Sequence, residues 1–151
     1  MEFKQIEAKA LTTFEIGYNC AQSVFAALAP ALGLHEKTAL KISSTFGGGM
    51  QIGSTCGALT GAMMALGLAA GFCEYSPEAK DEIGALNREL ILRWQNRFAN
   101  LDCRDILQID PTDPVQKQAA RDAGIMAERC PNCVSGAVQI FSEMLRELDI
   151  L

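Results

Sequence analysis

The sequence predicts an all-α protein, a single-domain bundle of about five to seven helices around a buried, glycine-rich central helix. Apolar residues recur three and four positions apart along almost the whole chain, and no segment alternates apolar and polar residues as a half-buried strand would. The 151 residues suffice for one compact domain, which buries roughly two-thirds of the surface of the unfolded chain. We therefore expect residues 1–151 to form one domain, since no repeat or low-complexity linker divides them.

The first four helices are predicted from apolar spacing and from the glycines and polar residues between the segments. The first two helices are marked by Phe3, Ile6, Ala10 and Phe14, and by Ala21, Val24, Phe25, Leu28 and Leu32. A third helix runs from about Glu36 to Phe46 and ends at a triple glycine, where the backbone loses its preference for the right-handed helix. A fourth, from about Thr55 to Phe72, is apolar on nearly all sides and is therefore expected to be central.

The second half of the chain contains clear signals for helix starts and stops. Ser76-Pro77-Glu78 combines a capping serine, a proline suited to the first turn and an acid near the positive end of the helix dipole. The apolar stripe of the long helix that follows consists of Ile83, Leu86, Leu90, Trp94 and Phe98. A short helical turn from Asp102 to Leu107 precedes a segment at 110–114 whose two prolines interrupt the helix. A sixth helix is expected from Val115 to about Glu128, and a last helix starting near Cys130.

The composition disfavours nucleic acids and membranes as partners. Thirteen Lys and Arg residues stand against 18 Asp and Glu residues, giving a net charge of -5, and the basic residues form no stripe. No residue between Lys41 and Glu74 is charged, but glycines interrupt this stretch, and its apolar part, 62–70, is too short to insert into a bilayer. The first residues resemble neither a signal peptide nor a transit peptide, which predicts a cytoplasmic location.

The six cysteines carry the chemistry that this sequence suggests. In the cytoplasm such a set is more often metal-binding, catalytic or redox-sensing than a set of structural disulfides. Four of them lie beside residues that favour helix starts: Cys20, Cys56, Cys103 and Cys130. There the positive end of the helix dipole stabilises a thiolate, whereas burial among apolar side chains raises the thiol pKa and makes the thiol inert. Cys73, at the end of the central helix, is expected to be a bystander.

Cys130-Pro131-Asn132-Cys133 forms a C-x-x-C pair, a spacing found in dithiols that cycle to disulfides. The segment before it is helical rather than a strand, which argues against a thioredoxin context, and Val134 stands where a c-type haem needs histidine. His35 is the only histidine, so a zinc site with two histidines is excluded, and His35 itself is expected on the surface at a helix start. An all-thiolate zinc site or an iron–sulfur cluster on the four helix-start cysteines stays open.

A glycine-rich run, Gly47-Gly48-Gly49 with Gly53, lies just before Cys56. It is not a phosphate-binding loop, because no Gly-Lys-Ser/Thr follows and no strand precedes it. These glycines are expected to turn the backbone sharply and to bring N–H groups next to the Cys56 sulfur, where they would stabilise its thiolate. Gly57 and Gly61, four residues apart on the central helix, are expected to admit a neighbouring helix at close range.

The residues around the cysteines resemble a known family. The central motif is Cys56-Gly57-Ala58-Leu59-Thr60-Gly61, accompanied by Gly17-Tyr18-Asn19-Cys20-Ala21-Gln22, the glycine-rich run, Cys103 and a cysteine opening the last helix. From about residue 10 to 148 the chain resembles the C_GCAxxG_C_C family of small bacterial and archaeal proteins, which are described as redox proteins. This resemblance implies redox chemistry and four recurring cysteines, Cys20, Cys56, Cys103 and Cys130, with Cys133 close enough to take the last role.

Three functions are consistent with these observations. The leading hypothesis is thiol–disulfide or electron-transfer chemistry at the four-cysteine cluster, with an unidentified redox partner and Cys56 as the nucleophile. The supporting residues are expected to be Gly47, Gly48, Gly49, Gly53, Gly57, Gly61 and Cys133. The second hypothesis is a zinc or iron–sulfur protein that uses the same four cysteines as ligands. The third is a structural or interaction module with cysteines as core filler and the central helix at a homodimer interface.

Overall fold

The computed structural model describes residues 2–150, most of which are α-helical. This part of the chain forms α1 (Phe3–Ile16), α2 (Cys20–Leu28), α3 (Glu36–Ile42), α4 (Gly57–Ala70), α5 (Pro77–Phe98), α6 (Cys103–Leu107), α7 (Pro114–Asp122) and α8 (Ile125–Glu147). No strand occurs within 2–150, so the predicted all-α fold is confirmed. The eight α-helices exceed the predicted range because the short segment 103–107 is a helix of its own. In the same range no helix combines the length and the apolar character needed to cross a bilayer.

The core is built around α4, which packs against α2, α5 and α8. The largest fully buried side chains include Trp94, Phe141, Leu28, Leu59 and Leu66. The buried residues of α4 lie between Gly57 and Leu66, which confirms the predicted buried central helix. Within the chain, α2 and α8 cover these residues, and the exposed residues of α4 are Gly67 and Leu68, towards its end. A homodimer interface on α4 stays a prediction.

Two glycines on α4 allow α2 to approach closely. A methyl group on Gly61 would lie 2.9 Å from the carbonyl oxygen of Ala21, and one on Gly57 would overlap the sulfur of Cys20. The same group on Gly57 would lie 3.0 Å from the carbonyl oxygen of Phe46. The predicted close approach at both glycines is therefore confirmed, and it brings the start of α2 against the start of α4.

The start of α2 is fixed by a capping box at Asn19. The Asn19 side chain accepts a hydrogen bond from the Gln22 N–H at 2.8 Å, and the Gln22 side chain accepts one from the Asn19 N–H at 3.2 Å. The Asn19 amide also donates to the Ser44 carbonyl at 3.1 Å. These bonds satisfy free N–H groups of the helix end, and they tie the residue before Cys20 to the segment that leads into the glycine-rich run.

The glycine-rich run forms a left-handed turn rather than a plain loop. Gly48, Gly49, Met50 and Gln51 all have positive φ, between 58° and 64°, and Gly53 follows with φ 73°. Glycine adopts this region at no steric cost, whereas Met50 and Gln51 each do so at a cost of roughly 1–2 kcal/mol. The Arg104 guanidinium of α6 donates to the Ile52 carbonyl at 3.0 Å and so holds the end of the turn.

The last helix begins earlier than the sequence predicts. A single helix was expected from Val115 to Glu128, but α7 ends at Asp122 and α8 already begins at Ile125. Gly124 causes the break, since its φ of 74° belongs to the left-handed region that commonly ends a helix. Pro131 lies inside α8, not in its first turn. Proline is common in the first turn of a helix but is not confined to it. Here the packing of α8 keeps Pro131 inside the helix.

Candidate functional site

The six cysteines occupy three kinds of position. Cys20 and Cys103 are the first residues of α2 and α6, and Cys56 is the N-cap of α4. Cys130 and Cys133 lie inside α8, and Cys73 is exposed after the end of α4. The helix-start prediction is therefore correct for three cysteines and wrong for Cys130, because α8 begins five residues before it, at Ile125. All six are free thiols.

Three of the predicted cysteines, Cys20, Cys103 and Cys130, line one pocket with a volume of about 520 Å³. We refer to it as the cysteine pocket. The other lining residues are Phe14, Asn19, Gly47, Gly48, Gln51, Leu107, Pro111, Thr112, Lys117 and Met126. Among these described residues Lys117 alone carries a charge. The pocket thus joins thiols from α2, α6 and α8, three elements that are distant in sequence.

A short backbone ladder connects the segments that carry Cys56 and Cys103. Thr55 pairs with Asp102 in an antiparallel bridge. The Cys56 N–H donates to the Leu101 carbonyl at 2.8 Å, and the Cys103 N–H donates to the Ser54 carbonyl at 2.7 Å. Both cysteines that open α4 and α6 are therefore held by their own backbone, independently of their side chains.

The Cys20 thiol is subject to opposing influences. Its hydrogen bond with the Cys56 thiol is the strongest and raises the pKa of Cys20, and burial and the charge of Cys56 raise it further. The backbone N–H groups of Gly48 and Ala21 face the sulfur and lower the pKa. The result is a pKa well above the usual value. Cys20 is therefore a neutral thiol at pH 7, with two N–H donors in place for the thiolate when it forms.

The glycine-rich run thus serves a different cysteine from the one predicted. Its N–H groups were expected beside Cys56, but the Gly48 N–H faces Cys20. The left-handed turn folds back over the start of α2, to which Asn19 ties it through the Ser44 carbonyl. A methyl group on Gly47 would overlap the Asn19 side chain, so this residue has to be glycine for the turn to lie so close.

Cys56 and Cys133 form a buried pair behind Cys20. The Cys56 residue is only 6% exposed and Cys133 only 3%. The hydrogen bond with the Cys133 thiol is the largest influence on Cys56 and raises its pKa far above the usual value, with burial adding to the effect. The expectation that Cys56 is the accessible, easily ionised nucleophile is therefore wrong, because the residue is buried and its hydrogen bond with the Cys133 thiol, followed by burial, favours the neutral thiol.

The pKa values of the two remaining pocket thiols are also raised. Burial raises the pKa of Cys103 to about 11, the charge of Cys20 adds to this, and the Lys117 ammonium opposes it. Burial, followed by the charges of Cys20 and Cys103, raises the pKa of Cys130 to about 12. These three thiols are therefore close enough to influence one another's ionisation. The predicted lowering of thiol pKa values at helix starts does not occur, because hydrogen bonds from neighbouring thiols raise the pKa of Cys20 and Cys56, and burial raises that of Cys103.

Sequence reasoning missed two contributions to this site. Lys117 was not singled out, because a lone lysine on an amphipathic helix gives no signal that its head group faces a cysteine. The contact between Cys133 and Cys56 was also not predicted; only the C-x-x-C spacing marked Cys133 as a residue of interest. His35, in contrast, is exposed at the start of α3, where its Nδ1 accepts from the Lys37 N–H at 3.2 Å, as predicted.

The described residues offer no preformed metal site. Within 2–150, no group of three or more Cys, His, Asp or Glu side chains has an arrangement that could hold a metal ion. A zinc or iron ion that binds these cysteines has to displace protons from thiols whose pKa values are raised.

The fold and the pocket together define an all-α protein with several thiols gathered from distant helices. The chain belongs to the family described as "Putative redox-active protein (C_GCAxxG_C_C)", whose model matches residues 18–144. This confirms the family suggested by the motif around Cys56 and by the segment around Cys20. No curated protein and no solved structure matches the chain.

Proposed function

We propose that this protein performs thiol–disulfide redox chemistry at Cys20, Cys56, Cys103 and Cys130. The observation that carries the proposal is the position of Cys20, which lines the cysteine pocket while its sulfur lies against Gly57, next to the buried Cys56 thiol. An incoming disulfide can reach Cys20, and a second thiol stands behind it to complete the exchange. Membership in a redox-active family supports the general class of chemistry.

Cys20 is the proposed entry thiol. Its thiolate attacks one sulfur of a substrate disulfide, forming a mixed disulfide and releasing the other half of the substrate as a thiol. Cys56 then attacks the Cys20 sulfur and releases the second half, so that one disulfide is reduced while two protein thiols are oxidised. The N–H groups of Gly48 and Ala21 assist the first step, because they stabilise the negative charge on the attacking sulfur.

The raised thiol pKa values fit this proposal in a specific way. A buried thiolate is costly, whereas a buried dithiol and a buried disulfide are both uncharged. The site therefore has two uncharged resting states that differ by two electrons and two protons. Exchange through a thiolate is slow at neutral pH under these conditions, so we expect the rate to rise with pH up to and beyond the usual titration range of cysteine.

The test is a mass measurement on protein purified without oxygen. The native mass reports bound metal and oligomeric state, which covers the zinc, iron–sulfur and homodimer hypotheses. The protein is then treated with bis(2-hydroxyethyl) disulfide and quenched in acid, and one portion of it is alkylated while the rest is not. We expect the mass of the unalkylated protein to fall by two hydrogens per disulfide and to recover with dithiothreitol.

The matched variants are Cys20→Ala and Cys73→Ala. Both remove one thiol, but Cys73 is exposed and lies outside the pocket. We expect oxidation to stop in Cys20→Ala and to continue unchanged in Cys73→Ala. Equal oxidation of the two variants would refute Cys20 as the entry thiol. A native mass excess of zinc or an iron–sulfur core, lost on denaturation, would instead favour the binding hypothesis.

A further inference from the structure

The thiol that the proposed exchange leaves unused is Cys133. It lies inside α8 and points into the core, where it is only 3% exposed. Its neighbour there is the Cys56 thiol, at the start of α4, and both residues belong to the same buried core. Cys133 is absent from the lining of the cysteine pocket, so no substrate in that pocket meets it directly.

Cys56 therefore has a thiol neighbour on each side. Towards the pocket it contacts Cys20, whose sulfur lies against the backbone of Gly57, and towards the core it contacts Cys133. A sulfur that is shared between two other thiols can exchange disulfide partners without leaving its position. The packing of α4 against both α2 and α8 holds this arrangement in place.

We propose that Cys56 and Cys133 form a second, buried redox pair, to which the oxidation acquired by Cys20 is passed. This inference rests on the proposed thiol–disulfide function. It assigns Cys133 as the terminal acceptor of a three-thiol relay that runs from the pocket, through Cys56, into the core. Cys130, its neighbour in the C-x-x-C pair, stays on the pocket side.

The relay step is balanced without any further reactant. The Cys133 sulfur attacks the Cys56 sulfur of the Cys20–Cys56 disulfide, forming the Cys56–Cys133 bond and breaking the Cys20–Cys56 bond. The proton that Cys133 loses is taken up by the departing Cys20 thiolate, so neither electrons nor protons leave the protein. Cys20 is then a free thiol again, and with Cys103 or Cys130 it can react with a second molecule of disulfide. The protein would thus hold two disulfides, equivalent to four electrons.

The test follows disulfide formation over time during oxidation by excess bis(2-hydroxyethyl) disulfide. Trypsin leaves Cys20 in peptide 10–37, but it leaves Cys56 with Cys73 in 42–80 and Cys130 with Cys133 in 130–146. Mapping is therefore performed on a Cys73→Ala, Cys130→Ala protein, in which each of these three peptides has one cysteine. We expect the link between 10–37 and 42–80 to form first and to be replaced by a link between 42–80 and 130–146.

Two further variants, in the wild-type background, separate loss of the thiol from loss of packing. Cys133→Ala and Cys133→Val remove the thiol with a smaller and a larger side chain, and circular dichroism checks that each folds. In both variants we expect oxidation to remove two free thiols of the cysteine cluster, whereas it removes four in the wild-type protein. We also expect both variants to keep the Cys20–Cys56 disulfide. A Cys73→Ala, Cys130→Ala protein in which that link persists while Cys133 stays open to alkylation would overturn the relay alone. Absence of any disulfide at Cys20 would overturn the proposed function together with the relay.

Discussion

At the Cys20 sulfur, two N–H groups and one thiol act in opposite directions. The N–H groups of Gly48 and Ala21 favour a thiolate, while the Cys56 thiol and burial favour the neutral form and prevail. The pKa of Cys20 therefore depends on the Cys56 thiol more than on any other neighbour. Changing that neighbour is therefore the most direct way to alter the reactivity of the entry thiol.

We expect Cys56→Ala to accelerate alkylation of Cys20 by iodoacetamide at pH 8. The substitution removes both the hydrogen bond and the charge that raise the pKa of Cys20, and each unit by which the pKa falls gives up to about ten times more thiolate. The rate is measured by mass spectrometry of peptide 10–37. Cys133→Ala is the control, since it removes a buried thiol that does not act on Cys20 directly. An unchanged or slower rate in Cys56→Ala would contradict this account.

The residue types of the site could be predicted from sequence, but their ionisation could not. Cys20, Cys103 and Cys130 do share a pocket, and the motif that carries the family resemblance points to them. Whether the helix dipole or burial decides a thiol pKa depends on packing between α2, α4 and α8, which is not a local property of the chain. The same reason explains why Cys56 was expected to be accessible.

At the level of elements, the close contact between α2 and α4 depends on Gly57 and Gly61, which leave no room for a side chain. We expect Gly57→Ala to lower the free energy of unfolding by about 1–3 kcal/mol, as overpacking commonly does, because its methyl group would overlap the Cys20 sulfur. Gly67→Ala on the same helix is the matched control: nothing lies within 4 Å of its added methyl group. Gly67→Ala should raise the free energy of unfolding by about 0.5–1 kcal/mol, because alanine has a higher helix propensity than glycine. Urea unfolding measures both, and equal effects would disprove the close contact.

The left-handed turn leads to a second prediction about an element. Met50→Gly is expected to raise the free energy of unfolding by up to about 1 kcal/mol, because glycine adopts the φ of 58° without strain but loses more entropy on folding. Gly49→Ala is expected to destabilise the protein, since its φ is 63° and its methyl group would overlap the Ser54 backbone. Thermal unfolding of the reduced proteins compares the two. A stable Gly49→Ala variant would contradict the observed turn.

Helix boundaries were predictable where capping residues and apolar spacing agree. Ser76 caps α5 as expected, accepting from the Ala79 N–H at 3.0 Å. The start of α8 was missed because Gly124 gave a weaker signal than Pro131, whose usual place is the first turn of a helix. The ladder between 54–56 and 101–103 could not be predicted, since two isolated bonds leave no periodic pattern in sequence.

For the molecule as a whole, the buried thiols make stability depend on pH. The folded pKa is raised to about 11 for Cys103 and about 12 for Cys130, whereas an unfolded thiol ionises near 8.5. Between these values the unfolded chain binds fewer protons than the folded one, so the free energy of unfolding falls as pH rises. The stabilising effect is complete below about pH 8 and is lost as the pH approaches the folded pKa values.

We expect urea unfolding of the reduced protein to show this decline between pH 8 and pH 10. A Cys103→Ala, Cys130→Ala protein is expected to have a shallower decline, because its lysines still titrate but these two thiols are absent. An oxidised protein with these thiols in disulfides should behave like the double variant. Parallel declines in the reduced wild-type protein and the double variant would contradict the raised pKa values.

The ladder that joins Ser54 to Cys103 has a consequence for biosynthesis. Cys56 and Cys103 are separated by the whole of α4 and α5, so a chain emerging from the ribosome exposes the first long before it contains the second. Until residues 101–103 have been translated, neither the ladder nor the pocket exists, and an early oxidant would meet only Cys20, Cys56 and Cys73. The cysteine pocket can therefore assemble only after the second half of the chain has been translated.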